Sequence, residues 1–280
     1  MSKHHKDTGT RIGLYVVYTL TSLFFLYPLL WVVSLSLKTV PELFAVPPKI
    51  LPQHFAIENY AYVLWKARIL KNLWNSLFVV TLTVIGTLII TLPASYAFSR
   101  MYFRFKKSLL LCILGFQMIS PLVIVIPLYR YFSKINMLNS NFGLIAVYIA
   151  VSAPFATWFL KGFLDTIPKE LDEAAIIDGC NRLQILRMVL IPVTIPGIIS
   201  ALLLIAIRSW SQFVVPFILL DKGDMFPISV GLVNLQSTTD AISTHYLAAA
   251  SVLGILPTVV VFILLQKFIV SALTAGAVKG

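Results

Sequence analysis

Residues 72–99 read NLWNSLFVVTLTVIGTLIITLPASYAFS, a run without a single Asp, Glu, Lys or Arg. A helix needs about 20 consecutive apolar residues to cross the hydrocarbon core of a bilayer, and this run exceeds that length. It lacks the strict two-residue alternation of a barrel strand. Moving outward, similar stretches occupy 12–37, 108–129, 142–160, 197–220 and 247–266. None holds an acid, and the only basic residue in any of them is Arg208. Irregular backbone cannot face lipid, because its N–H and C=O groups would go unpaired, so each stretch is expected to be a helix. Composition agrees: the 280 residues are 59% hydrophobic and 12% charged, with mean hydropathy +0.90. Soluble domains run about 45–50% apolar and about 25% charged. The same numbers exclude intrinsic disorder, and two cysteines, Cys112 and Cys180, exclude a disulfide scaffold. The expected fold is an all-α integral membrane protein with six transmembrane helices. The first stretch reads as a retained span, being too long for a signal-peptide core.

Basic residues set the expected orientation. With the N-terminus inside, the inner segments 1–11, 100–107, 161–196 and 267–280 hold 13 Lys and Arg in 69 positions, against 8 in 72 for the outer segments. This bias places both termini in the cytoplasm. The net charge of +11 then belongs to loops facing anionic lipid rather than to nucleic-acid binding. The cluster Arg100, Arg104, Lys106, Lys107 reads as a positive-inside anchor with no further role. The organisation expected is an N-terminal tail 1–11, a transmembrane domain 12–266 with a cytoplasmic loop at 161–196, and a C-terminal tail 267–280. The outer loop 38–71 opens with Pro41, Pro47, Pro48 and Pro52, so it starts extended, and a short amphipathic helix is expected from about Ile57.

The loop 161–196 holds five of the eleven acids: Asp165, Glu170, Asp172, Glu173 and Asp178. Acids concentrated on the inner side run against the general charge trend. Its core reads IPKELDEAAIIDGCNRLQILRMVLIPVTIPG, residues 167–197. Pro168 suits a first helical turn, and Glu170, Asp172 and Glu173 complement a helix N-terminus. Gly179 reads as the stop, and a second helical segment is expected from about Arg182 to near Pro192. The physical reading alone leaves two outcomes open, a solvated well-capped loop or a docking surface whose small residues admit a close partner.

This loop resembles the EAA motif of permease subunits of ATP-binding-cassette (ABC) importers, through Glu173, Ala174, Ala175, Asp178, Gly179 and Pro192. FAIENYAYVL (55–64), NSLFVVTLTV (75–84), ASYAFSR (94–100) and the tail LTAGAVKG (273–280) are similar to carbohydrate-importer permeases, specifically the smaller maltose-type subunit. The resemblance covers nearly the whole chain. It implies a type I ABC importer permease fold in a bacterial or archaeal cytoplasmic membrane. It also implies docking of the EAA loop into an ATPase cleft, and a tail (Thr274, Ala275, Gly276, Lys279, Gly280) that reaches toward the ATPase interface. The implied partners are a homologous second permease, an ATPase dimer that binds ATP and Mg, an extracytoplasmic solute-binding protein and membrane lipid. The chain itself would carry no cofactor. The outer segment 222–245 is implied to meet the binding protein. The chain departs from the family's pattern at Cys180, where Ala is usual. It has Leu183 and Leu186 where an aromatic pair is frequent, and Ser211-Gln212 where relatives often have Asn-Glu. The last change leaves Arg208 without a nearby acid in sequence.

Arg208 has two readings: a polar element of the translocation path, or an arginine that snorkels or pairs with carbonyls. Burial of its charge in a membrane costs at least about 2.5–3.5 kcal/mol, so it should face the bundle interior or water. Gln117, Trp210 and Gln212 have the chemistry to stack on or hydrogen-bond a sugar, and equally that of packing polar groups between helices. Pro93, Pro121, Pro127, Pro154, Pro216 and Pro257 lie in or beside spans as kinks or tolerated bends. His4, His5, His54 and His245 show no metal-ligand spacing. No G-x-x-x-x-G-K, H-E-x-x-H, C-x-x-C or G-x-S-x-G occurs, so ATP must be used by a partner and no catalytic role is expected. The alternative functions are a stand-alone secondary transporter and a polytopic membrane enzyme. Proton coupling would call for a buried acid or His in a span, and the spans offer none.

Overall fold

A computed structural model describes residues 3–238 and 244–277, with side chains described for 11, 13–120, 122–235 and 244–268. Among these residues the chain is helical and has no strand. The helices are α1 (Lys3–Ser36), α2 (Ile69–Arg100), α3 (Lys106–Gly115), α4 (Pro121–Lys134), α5 (Asn141–Leu164) and α6 (Glu170–Ile177). They continue as α7 (Arg182–Trp210), α8 (Val214–Leu219), α9 (Ile228–Thr238) and α10 (Thr244–Ala277). Five of them, α1, α2, α5, α7 and α10, contain segments long and apolar enough to span a membrane, and α3 with α4 forms a bent pair that makes up to six. Their outward faces are apolar: Tyr15, Phe24 and Phe25 on α1 are all more than two-thirds exposed. A helix that is apolar all round needs a non-aqueous surrounding, and the bilayer supplies it.

Two expected spans are corrected. Residues 108–129 do not form one straight helix. The chain bends by 93° between Lys106–Met118 and Leu122–Lys134. Pro121 forces Ser120 out of helical conformation, to φ −61 and ψ 134, and Ser120 then caps α4 by accepting from the Leu122 N–H at 3.4 Å. The fifth span is shifted toward the N-terminus. Its helix begins at Arg182 and ends at Trp210, and residues 214–219 form the separate α8.

The chain divides into two compact units, Met1–Ile69 with Leu232–Ile255, and Leu70–Gly231 with Leu256–Gly280. In the first, the end of α1 is tied to the stretch after it. The Asn59 amide donates to the carbonyls of Ser36 and Lys38 at 3.0 Å each. Ser36 Oγ lies 2.6 Å from Tyr60 Oη, and the Ala56 N–H donates to Leu37 at 2.9 Å. The helix expected from about Ile57 is present as Glu58–Ala61 followed by a π turn at Tyr62–Lys66.

In the second unit, α2, α5, α7 and α8 share apolar cores. Val80, Val84, Ala156 and Ile205 form one, and Val79, Leu144, Tyr148, Val215 and Leu219 belong to another. Close approach is required where Gly197 of α7 meets Phe163 of α5: a Cβ there would fall 2.5 Å from the ring. The segment after α8 is held by side chains distant in sequence. Asn139, in left-handed conformation at φ 55, accepts from the N–H groups of Asp221 at 2.6 Å and Lys222 at 3.2 Å. Asn75 donates to the carbonyls of Asp224 at 2.8 Å and Phe226 at 3.2 Å. Ser76 Oγ accepts from the Ile228 N–H at 2.8 Å. Asn139→Ala removes one acceptor from two amides and should cost about 1–3 kcal/mol locally. Hydrogen exchange at Asp221 and Lys222 is expected to speed at least tenfold; unchanged exchange would show that the amides are held by something else.

Candidate functional site

The acid-rich loop folds into a pinned elbow. Helix α6 carries Glu170, Asp172 and Glu173 in its first turn, where the exposed N–H groups favour negative charge. It ends at Gly179, whose φ of +82 is the left-handed conformation the glycine permits. The Gly179 N–H donates to the Ile176 carbonyl at 3.0 Å and the Cys180 N–H to that of Ala175 at 2.9 Å, closing the helix end. Asn181 then starts α7 through a reciprocal cap. Its side chain accepts from the Gln184 N–H at 3.0 Å, and the Gln184 side chain accepts from the Asn181 N–H at 2.8 Å.

The second helical segment does not stop near Pro192. It passes through a π turn at Ile185–Leu190 and continues to Trp210. The wide turn comes just before Pro192 and accommodates its missing donor without a break.

Beneath the elbow lies a core of Tyr96, Leu164, Ile167, Ala175, Ile185, Leu186 and Leu190. A buried ion pair fixes the elbow to the end of α2. Arg100 Nε is 2.9 Å from Asp172 Oδ2, with side chains only 8% and 12% exposed, and Arg100 Nη2 donates to the Ile167 carbonyl at 2.9 Å. This corrects the expectation for Arg100, which is more than a positive-inside anchor. Nearby, Ser99 Oγ donates to Asp165 Oδ1 at 2.6 Å, and Lys161 pairs with Asp165.

The motif residues divide between two faces. Ala175 and the departing Leu186 are buried in the supporting core, whereas Glu173, Ala174, Asp178, Gly179 and Pro192 are exposed. Leu183, Ile176 and Ile177 are all exposed, the last at 86%. The outward residues of the elbow therefore include both apolar and acidic side chains. Of the tail, Thr274, Ala275 and Gly276 continue α10, while Lys279 and Gly280 lie outside the described residues.

A cavity of about 740 Å³ opens between α3, α5 and α7. Gln117, Arg208 and Gln212 line it, together with Ser152, Phe155, Ser209 and Ser211. The Arg208 guanidinium sits 5.2 Å from the centre of the Phe155 ring. Trp210 does not line the cavity. It packs against the Val80, Val84, Ala156 and Ile205 cluster, because two positions along α7 turn it away from the face Arg208 occupies.

Three further features of the site differ in how far sequence could reach them. The cap at 181–184 was missed, although its N-x-x-Q spacing is a local signal that could have shown it. Tyr148 and Phe155 in the cavity wall carry no local signal that separates them from lipid-facing aromatics. The Arg100–Asp172 pair joins residues 72 positions apart, which a single sequence cannot connect.

A multi-pass helical membrane protein with a cavity between helices and a folded elbow at one end of a spanning helix has the architecture of a transport subunit. The chain belongs to the binding-protein-dependent transport system inner membrane component family, whose model matches residues 89–275. It is 31% identical to the inner membrane ABC transporter permease protein YcjP of Escherichia coli (strain K12), over 99% of each chain. It is 30% identical to the trehalose/maltose transport system permease protein MalG of Thermococcus litoralis, over 96% of this chain and 97% of that one. The galactooligosaccharides transport system permease protein GanQ of Bacillus subtilis is 31% identical, with 95% and 94% covered. A chain in the crystal structure of a bacterial ABC transporter involved in the import of the acidic polysaccharide alginate shares the fold. Its TM-score is 0.78 at 24% identity, over 95% of this chain and 98% of that one. The protein is a multi-pass component of the cytoplasmic membrane and a permease subunit of an ABC importer.

Proposed function

We propose that the chain forms half of the translocation path of a carbohydrate importer, paired with a homologous permease. An ATPase dimer that binds ATP and Mg²⁺ would dock on the elbow from the cytoplasm, where both termini also lie. A solute-binding protein would deliver sugar from outside, meeting the segment 222–245. In that segment and just before it, Asp221, Lys222 and Asp224 are anchored by Asn139, Asn75 and Lys71, while Asp240 lies outside the described residues. The observation that carries the reading is the continuity of α7. One helix runs from the exposed elbow at Arg182 to the cavity at Arg208. At 1.5 Å per residue it is about 40 Å long, enough to carry motion at a docking surface to the path. The roles of relatives, trehalose/maltose and galactooligosaccharide transport, support a sugar as cargo.

In this reading Glu173, Ala174, Asp178 and Gly179 face the ATPase, with Ala175 supporting them from below. Pro192 shapes the start of the spanning segment. Thr274, Ala275, Gly276, Lys279 and Gly280 extend toward the ATPase interface. Gln117, Arg208 and Gln212 face the cargo. Reconstitution tests it. Liposomes holding the chain, its partner permease and the ATPase should hydrolyse ATP in response to binding protein and accumulate sugar. Liposomes holding the chain alone should accumulate none. Uptake by the chain alone would establish the secondary-transporter alternative instead.

A further inference from the structure

We infer that the solute passing the cavity carries an anionic group (a carboxylate, sulfonate or phosphate on a sugar) that Arg208 recognises. This rests on the importer reading above. Arg208 is the only charge among the six apolar stretches, and it lines the cavity. Its guanidinium lies over Phe155, which is 14 residues from the start of α5 and 9 from its end. These are about 21 and 14 Å of helix, so the guanidinium lies beside the middle of α5, while Arg208 itself belongs to the last turn of α7. No Asp or Glu lines the cavity, and none of the ion pairs among the described residues includes Arg208. Contact with an aromatic face returns about 0.5–2 kcal/mol and leaves the guanidinium, which is exposed, open to a ligand.

Two further groups in the same wall lack a partner. Gln117 Nε2 and the Tyr148 hydroxyl are buried without a hydrogen bond among the described residues. Both can donate. Of these groups the exposed guanidinium in the cavity wall is the one that matches an anionic oxygen cluster. A neutral sugar would be served by the amides, hydroxyls and Phe155, and would leave the guanidinium unpaired.

The test uses cells carrying the complete importer, supplied with a pooled polysaccharide hydrolysate that contains neutral, carboxylated, sulfonated and phosphorylated sugars. Depletion of each is followed by mass spectrometry, and assembly of every variant is checked by copurification of the partner subunits. Acidic sugars are expected to be depleted. Arg208→Gln should slow their depletion at least tenfold, and Arg208→Lys, which keeps the charge but not the fork, should restore part of it. Depletion of neutral sugars alone, depletion of no acidic sugar, or acidic depletion that survives Arg208→Gln in an assembled complex overturns the inference. Depletion that persists without the ATPase subunits tells against the importer reading, while its dependence on Arg208 still decides the charge of the solute.

Discussion

Asp172→Ala is expected to release the elbow and weaken ATPase docking by roughly 100-fold. The substitution leaves Arg100 buried at the end of α2, 8% exposed, with its carboxylate partner gone. Stranding one member of a buried pair costs about 3–5 kcal/mol, because the remaining charge keeps its desolvation penalty and loses the compensating attraction. The strain falls where α6 meets α2, so the spanning helices should stay folded while the docking surface opens. A folded docking surface populated a hundredfold less lowers apparent affinity by the same factor. Affinity of the solubilised permease pair for the ATPase, together with protease sensitivity near Gly179, reads this out. Arg100→Leu/Asp172→Leu removes both charges and should recover most of the loss, since apolar replacements of similar volume are well tolerated. Affinity within twofold of the parent for Asp172→Ala, or a double variant no better than the single one, would show that the apolar core alone holds the elbow.

The second large effect is expected from Gly179→Val. No heavy atom lies within 4 Å of where a Cβ would be built at Gly179, so no clash inside the chain arises. The cost is conformational. At φ +82 a β-branched residue is strained by about 1–3 kcal/mol and relaxes by re-aiming the peptide between α6 and α7. Asn181, which caps α7, would move with it. The variant should still assemble and hydrolyse ATP, yet sugar accumulated per ATP should fall at least tenfold. Gly179→Asn, similar in size but tolerant of left-handed backbone, should retain most of the coupling. Equal losses in Val and Asn variants would place the sensitivity in contact with the partner rather than in the turn.

The membrane assignment was legible in one sequence because it depends on composition over windows of about 20 residues, which no tertiary contact can alter. The glycine turn was legible because few residue types suit its dihedral angle, and glycine suits it best. The bend at Ser120 and Pro121 was read only as an option, since a proline in a span permits a kink and its packing sets the size. The continuity of α7 through Pro192 was missed. Proline ordinarily stops a helix, and the π turn that accommodates it depends on how Ile185, Leu186 and Leu190 seat in the core below.

The candidate site shows the same division. The acids of the loop, its alanines and the lone Arg208 could be picked out by type and spacing. Which of them face outward could not: Ala174 is exposed and Ala175 buried, although they are neighbours of identical chemistry. Likewise Arg208 enters the cavity while Trp210 packs against α2 and α5. The sequence by itself determined that this chain crosses a membrane several times, where its acid-rich elbow lies and that a single charge sits within its six apolar stretches. These are properties of residue type and local spacing. The tertiary structure alone decided that Arg100 holds the elbow through Asp172, that one helix joins elbow to cavity, and that Arg208 shares the cavity with Gln117 and Tyr148. Each of these depends on contacts between residues distant in the chain, and a contact energy exists only once packing has brought its two partners together.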